Sequence, residues 1–126
     1  MSTPVTSLDQ LNVAFAERFN ARDVDDLLAL FAPDAVFVPA PGQPLQGTEQ
    51  VRAALEQFLA LGLPISMTVR HVFASGGTGL SIADWSLQGA GPDGSEVSLG
   101  GSTADVAAYD ETHGWRFVID NPFGTA

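Results

Sequence analysis

The spacing of apolar residues changes once along this chain of 126 residues, and the change comes at Ile65. Before Ile65, apolar positions recur about every 3.6 residues, as on one face of a helix. From Ile65 onward they alternate with polar positions, as in half-buried strands, and turn residues separate the runs. Helices followed by strands predict an α+β domain in which the helices pack on one face of an antiparallel sheet.

Three helices are expected in the first half of the chain. The first runs from Leu8 to about Asn20, the second follows the capping residue Asp23, and the third begins at Thr48. A short strand at 35–38 and a proline-rich loop at 39–46 separate the second helix from the third. Four long strands are then predicted at about 65–74, 79–89, 96–109 and 115–122. No linker or repeat interrupts this order, so residues 1–126 are expected to form one domain.

The composition excludes several classes of function. The formal charge is −10, with five Arg, no Lys and fifteen carboxylates, so nucleic-acid binding is not expected. The chain has no cysteine, and its only imidazoles, His71 and His113, lack metal-ligand spacing, so we predict no metal site and no cofactor. No apolar run is long enough to span a membrane and the start does not resemble a secretory signal, which favours a cytoplasmic protein.

One apparent nucleotide motif is set aside. Residues Gly89–Gly94 fit the pattern G-x-G-x-x-G, but a dinucleotide site requires these glycines to open a helix. Here Pro92-Asp93-Gly94 predicts a hairpin turn followed by a strand.

Three local patterns, met in order along the chain, carry a family resemblance. They are Asn20–Asp23 with Leu30–Ala35, Gly47 before the third helix, and Gly114–Arg116 leading to Phe123–Gly124. In this order they resemble the NTF2-like superfamily, which holds the ketosteroid isomerases and the SnoaL-like polyketide cyclases. The segments Asp84–Leu87 and Ile119–Pro122 are most similar to its DUF4440 group. The resemblance implies a cystatin-like cone: three helices packed on a curved sheet, a deep pocket for a small apolar ligand, and a homodimer through the sheet.

Strand alternation, aligned to that family, predicts which side chains face the pocket. The expected inward set is Met67, Val69, His71, Phe73, Ser81, Ala83, Trp85, Leu87, Thr103, Asp105, Ala107, Tyr109, Phe117, Ile119 and Asn121. By the same alternation, Asp84 and Asp120 are expected on the outer face, as interface or salt-bridge residues that pair with Arg70 or Arg116.

Only some of the catalytic residues of ketosteroid isomerases have counterparts of the same type in this sequence. Their tyrosine corresponds to Phe15, which has no hydroxyl, and their general base falls on Pro39 or Ala40, which cannot accept a proton. The protonated aspartate of the family corresponds to Asp105. A standard ketosteroid isomerase reaction is therefore not expected.

The remaining polar residues define a candidate site. Asp105 and His71 are predicted as a catalytic acid–base pair, as the resemblance to the SnoaL-like cyclases implies. Burial raises the pKa of a carboxyl group toward the working range of an acid or base, and a nearby imidazole acts in the opposite direction by stabilising the carboxylate. The alternative is that Asp105 is a buried carboxylate satisfied by the backbone or by Asn121. Predicted ligand contacts are Trp85, Asn121, Tyr109, Phe15, Phe58 and Ile119.

Three functions stay open from the sequence. The first is binding of a small, largely apolar molecule in a conical pocket. The second is a SnoaL-like isomerase, cyclase or dehydratase in which Asp105 moves a proton with His71 or Asn121. The third is a non-catalytic dimerisation or interaction domain whose cone is filled by its own side chains.

Overall fold

The computed structural model describes residues 3–126. Its helices are α1 Leu11–Asn20, which continues a 3₁₀ turn at Leu8–Gln10, α2 Val24–Leu28 and α3 Thr48–Leu59. Its strands are β1 Phe31–Ala40, β2 Gln43–Gln46, β3 Ile65–Ser75, β4 Thr78–Ala90, β5 Glu96–Ser102, β6 Asp105–Asp110 and β7 Gly114–Asp120. No helix among these residues is long and apolar enough to cross a membrane.

Side-chain hydrogen bonds fix the predicted helix ends. Asp23 caps α2 by accepting a hydrogen bond from the Asp26 N–H at 3.0 Å, as its position before the helix predicts. At the end of α1, the Asn20 amide donates to the Ile65 carbonyl at 3.0 Å and accepts from the Ile65 N–H at 2.8 Å. This two-way clamp ties α1 to the first residue of β3.

The seven strands form one curved, unclosed sheet in the order β2-β1-β7-β6-β4-β3, with β5 paired to β4. Strands β1 and β7 are parallel, and the other pairs are antiparallel. The predicted α+β class is confirmed, since the N-terminal helices pack against this sheet. Phe15 of α1 lies at the centre of the core, with ring centroids of Phe19, Phe31 and Phe117 at 6.0, 6.3 and 6.1 Å.

Two segments differ from the sequence prediction. The predicted loop 39–46 is mostly a hairpin, because β1 begins at Phe31, continues to Ala40, and pairs with β2. The predicted strand 96–109 is two strands that separate at Thr103. There the Thr103 N–H donates to the Ala83 carbonyl and its hydroxyl accepts from the Ala83 N–H at 3.0 Å. The two halves of β4 consequently pair with different partners, β6 and β5.

Two β-bulges reverse the alternation of side chains. In β3, Val69 pairs with Ala83 but His71 pairs with Ile82, so Arg70 is an extra residue. In β7, Phe117 pairs with Ala107 but Ile119 pairs with Val106, which makes Val118 the extra residue. A bulge places two residues of one strand opposite one residue of its partner. Beyond each bulge, side chains that simple alternation places inward face outward.

Candidate functional site

A largely apolar pocket lies between the helices and the concave face of the sheet. Including its mouth, it comprises about 490 Å³ of space between atoms, of which about 40 Å³ admits the centre of a water molecule. Aliphatic side chains from α3, β3 and β4 contribute to the wall, together with the six aromatic rings of Phe15, Phe19, Phe37, Phe58, Trp85 and Phe117.

Three polar side chains interrupt this apolar wall: Asn12 of α1, Thr103 between β5 and β6, and Asp120 at the end of β7. We call them the polar corner. They meet around Asp105, which is fully buried and does not itself line the pocket. Asp105 Oδ2 accepts a hydrogen bond from Asn12 Nδ2 at 3.1 Å. Its Oδ1 accepts from the Asn121 backbone N–H at 2.9 Å.

Asn12 extends this network to β4. Its Oδ1 accepts a hydrogen bond from the Ser81 hydroxyl at 2.5 Å, while its amide nitrogen donates to Asp105. Asn12 and Ser81 are both buried. The amide has one acceptor and one donor group, and each is matched to a partner of the opposite kind. Asn12 thereby holds the carboxylate of Asp105 in a fixed orientation.

The carboxyl groups of Asp105 and Asp120 are both buried, and each affects the pKa of the other. Burial raises the pKa of Asp120 well above its usual range, and the negative charge and hydrogen bond of Asp105 raise it further. Burial also raises the pKa of Asp105, but hydrogen bonds from Asp120, Asn12, the Asn121 N–H and Thr103 oppose that rise. Ionisation is therefore disfavoured at both carboxyl groups, hydrogen bonds favour the ionised form only at Asp105, and Asp120 is the member of the pair that faces the pocket.

Phe15, Phe58 and Trp85, three of the predicted ligand contacts, line this pocket. The Trp85 indole N–H donates to the Pro122 carbonyl at 2.7 Å. Since its only donor is used by the backbone, Trp85 contributes apolar ring surface to the wall. As expected from alternation, Met67, Leu87, Thr103 and Phe117 also line the pocket.

The predicted inward orientations of His71 and Ile119 are wrong, and the bulges are the reason. His71 follows the extra residue Arg70, so it is exposed on the outer face, where its ring stacks on Phe73 with centroids 6.0 Å apart. The expected pairing of His71 with Asp105 is therefore not formed. Ile119 follows the extra residue Val118 and is 37% exposed.

The same bulge overturns the outward prediction for Asp120, which is buried and lines the pocket. Phe117 and Asp120 both face inward although they are three positions apart, which regular alternation forbids. Asp84, by contrast, lies outward as expected, with its Oδ1 3.6 Å from an Arg70 nitrogen. Arg116, the other expected partner, pairs with Asp110 at 3.1 Å.

Tyr109 and Asn121 lie outside the pocket lining. Tyr109 is 41% exposed at the end of β6, where its ring packs on Trp115 with centroids 5.5 Å apart. The Asn121 side chain donates to the Gly124 carbonyl at 2.7 Å and so closes the turn after β7. Only the backbone N–H of Asn121 reaches Asp105, which agrees with the alternative in which the backbone satisfies that carboxylate.

Sequence reasoning missed two members of the site, Asn12 and Asp120. For Asn12 a signal exists, because it lies four positions after Leu8 and three before Phe15, on the apolar face of the first helix. A buried amide on such a face requires polar partners from the sheet. Asp120 has no comparable signal in the sequence. In residues 3–126, no group of three or more His, Asp or Glu side chains is arranged to hold a metal ion.

The sequence of this chain matches one known family of domains. The profile of the SnoaL-like domain matches residues 13–121, which is most of the chain. The chain belongs to the SnoaL-like domain family. The matched region of this SnoaL-like protein includes Asp105, Asp120 and every aromatic residue of the pocket wall. No curated protein matches its sequence.

Solved structures confirm the NTF2-like fold of this SnoaL-like chain. A ketosteroid isomerase-like protein from Erwinia carotovora atroseptica has a TM-score of 0.77 at 14% identity, covering 90% of this chain and 89% of that one. A candidate dehydratase of the NTF2-like family from Streptomyces avermitilis gives 0.73 at 20% identity, covering 87% and 88%. A candidate calcium/calmodulin-dependent protein kinase type II association domain from Thiobacillus denitrificans gives 0.76 at 20% identity, covering 95% and 96%. At these identities the likeness shows the fold alone.

Proposed function

We propose that this SnoaL-like protein binds a small, largely apolar molecule in the aromatic pocket, with the polar group of the ligand against Asp120. The observation that carries the proposal is the contrast within the pocket, where an apolar wall meets one polar corner. Pockets of this kind obtain affinity from apolar burial and orientation from a few polar groups. The limited inner space favours a ligand of one ring or a short chain.

Tryptophan fluorescence tests the binding function. In a Trp115→Phe background, Trp85 is the remaining tryptophan and reports on the pocket wall. Titration with a panel of single-ring ketones, alcohols and amines should give a saturable change at ligand concentrations below about 1 mM. Phe15→Ala should weaken that binding because Phe15 lines the pocket, whereas Ile119→Ala should not. If no member of the panel saturates, the binding function is wrong.

Acid–base catalysis of the isomerase, cyclase or dehydratase type is the second candidate, and the Asp105–Asp120 pair favours it. An acid or base works best when its pKa is near the working pH, and burial beside a second carboxylate moves Asp120 in that direction. In this mechanism Asp120 gives or takes the proton of the bound molecule. Asp105 does not line the pocket, so we assign it as a positioning residue that raises the pKa of Asp120.

Proton exchange gives a direct test of catalysis. We expect the protein to accelerate exchange of the α-protons of 1-phenylpropan-2-one into D₂O, measured by NMR, and Asp120→Asn to abolish this acceleration. Asp105→Asn removes the neighbouring charge and lowers the pKa of Asp120, so it should move the pH profile to lower pH. Unchanged exchange in Asp120→Asn would remove Asp120 from the mechanism and leave a binding protein.

The outer face of the sheet supports a homodimer. Phe73, Leu80, Val106 and Ile119 stand opposite one another on four neighbouring strands, and Val36 pairs with Ile119 on a fifth. We call these five residues the apolar row. Phe73 is 60% exposed, and Leu80 and Ile119 are each 37% exposed. An apolar row of this length on a solvent-facing sheet is typical of a protein interface.

Sedimentation velocity tests the dimer. Leu80→Lys places a charge in the apolar row and should shift the protein toward monomer, while Gln88→Lys, exposed on the same strand outside the row, should not. A wild-type protein that is monomeric at every concentration would contradict the proposed interface.

A further inference from the structure

Neither carboxyl group of the buried Asp105–Asp120 pair has a positively charged partner in the described part of the chain. A buried charge is costly unless it is paired, and the hydrogen bonds to Asp105 stabilise its ionised form without neutralising it. Within residues 3–126, no ion pair includes either carboxyl group. Two acidic groups therefore lie beside the polar corner of the pocket, and no basic side chain is among the residues that line it.

No basic side chain of residues 3–126 lines the pocket. Four of the five arginines lie within ion-pair distance of other carboxylates, in the pairs Arg18–Asp26, Arg52–Asp25, Arg70–Asp84 and Arg116–Asp110. The fifth, Arg22, is exposed, with its guanidinium carbon 5.7 Å from the Phe19 ring centroid. His113 pairs with Asp110, and His71 is exposed on the outer face.

The rest of the pocket accommodates a cation better than an anion. Aromatic rings attract organic cations through their electron-rich faces, and six aromatic side chains line this pocket. The net charge of −10 also draws cations toward the protein and repels anions. Three features of the pocket therefore favour a positively charged ligand: the aromatic wall, the carboxyl pair and the absence of a basic residue from the lining.

We propose that the ligand of this pocket carries a protonated amine, which donates hydrogen bonds to Asp120 and supplies the positive charge that the carboxyl pair lacks. The ligand class is a small aralkyl or alkyl amine, with its apolar part against the aromatic wall. This inference rests on the proposed binding function and narrows it.

An amine and a neutral ligand differ in how their binding depends on pH. An ammonium group favours the ionised form of Asp120, so its binding lowers the raised pKa of this carboxyl group, is accompanied by proton release and tightens as the pH rises. A neutral carbonyl would instead accept a hydrogen bond from protonated Asp120, so its binding would weaken as the pH rises. The titratable group that interacts with Asp120 is Asp105 of β6, and the other polar side chains that line the pocket are Asn12 of α1 and Thr103.

Isothermal titration calorimetry with four matched probes tests the proposal: 2-phenylethylamine, 2-phenylethanol, 1-phenylpropan-2-one and phenylacetate. At about pH 8 the amine should bind at least about tenfold more tightly than the alcohol, and phenylacetate should not bind. Titration in two buffers of different ionisation enthalpy should show proton release on amine binding. Asp120→Asn should remove both the preference and the proton release, while Asp84→Asn, on the outer face, should preserve them.

Three outcomes overturn the proposal. The first is tighter binding of the ketone than of the amine, which rejects the amine class but leaves the binding function intact. The second is persistence of the amine preference in both Asp120→Asn and Asp105→Asn, provided that circular dichroism shows either variant to be folded. The third is failure of all four probes to bind the wild-type protein, which rejects the amine class and the proposed pocket function together.

Discussion

Asn12 of α1 donates a hydrogen bond to Asp105 of β6, 93 positions further along the chain, and this bond fastens the first helix to the centre of the sheet. Both side chains are buried, with 1% and 0% of their surfaces exposed. The same amide accepts a hydrogen bond from Ser81 of β4. One helical residue therefore orients the carboxyl pair and connects two neighbouring strands, so the site and the stability of the fold depend on it together.

Replacing Asn12 by leucine should destabilise the protein strongly. The variant leaves the Ser81 hydroxyl and one oxygen of Asp105 without their buried partners, at a cost of about 2–4 kcal/mol in the free energy of unfolding. Urea unfolding measures this cost. Ser81→Ala should cost less, about 1 kcal/mol, and the double variant should be more stable than the sum of the single effects implies. A change of less than about 0.5 kcal/mol in Asn12→Leu would show that the network contributes little to stability.

The carboxyl pair should make the protein less stable as the pH rises. Burial and the neighbouring charge raise the pKa of Asp120 in the folded state, so between its unfolded and folded pKa values the folded protein binds more protons. Stability from this group is complete below the unfolded pKa and is lost as the pH rises through the folded pKa. Asp120→Asn removes that loss, because an amide can donate to Asp105 at any pH. We expect a gain of about 1–2 kcal/mol at about pH 8, measured by thermal unfolding across pH.

The difference in stability between the wild-type protein and Asp120→Asn should disappear at acid pH. At about pH 4 both carboxyl groups of the pair approach their protonated forms, and the variant loses its advantage. Asp84→Asn is the matched control, since Asp84 is half exposed beside Arg70 and its removal should leave the pH dependence of unfolding unchanged. A wild-type protein whose stability rises between about pH 5 and pH 8 would contradict the raised pKa of Asp120 in the folded state.

The fold was predictable from this sequence because its signals are local. The capping residue Asp23, the change of apolar spacing at Ile65 and the turn residues each act over a few positions, and the structure confirms the elements that they predict. The break in the strand 96–109 was not predictable. It depends on Thr103 bonding to Ala83 through its hydroxyl as well as its backbone, a contact that forms only after the strands have paired.

The site was predictable only in part. Strand alternation assigns each side chain to a face from its position in the strand, and the extra residue of a bulge shifts that assignment by one. The extra residues are Arg70 and Val118, and neither is a glycine or proline that would indicate a bulge in the sequence. Each extra residue reverses the orientation of the side chains that come after it in its strand. His71 and Asp120 consequently exchange places relative to the predicted site. The strand of Asp105, β6, contains no extra residue, and Asp105 is found on the expected face.

His71 should be dispensable for the chemistry of the pocket. It is exposed on the outer face and stacks on Phe73, so His71→Ala should leave ligand affinity and the pH profile unchanged. The calorimetric titration with 2-phenylethylamine measures the affinity. A shift in its pH dependence in His71→Ala comparable to that in Asp120→Asn would restore the imidazole as a partner of the carboxyl pair. Because Phe73 belongs to the apolar row, sedimentation of the variant is the accompanying control.

Replacing Gly114 by alanine should destabilise the protein, because Gly114 lies against the N-terminal segment at Val5 and has no space for a side chain. Gly114 has φ of +72° and forms a bridge with Val5, and the neighbouring Trp115 N–H donates to the Val5 carbonyl at 2.7 Å. A Cβ at position 114 would overlap that carbonyl oxygen, so Gly114→Ala adds a steric clash to the cost of positive φ. Gly94 has a similar φ of +83° with open space around it, so Gly94→Ala isolates the backbone cost, about 1 kcal/mol. Thermal unfolding should show Gly114→Ala losing at least about twice as much stability as Gly94→Ala. Equal losses of stability in the two variants would show that the segment at Val5 moves away from the new side chain without lowering the stability of the protein.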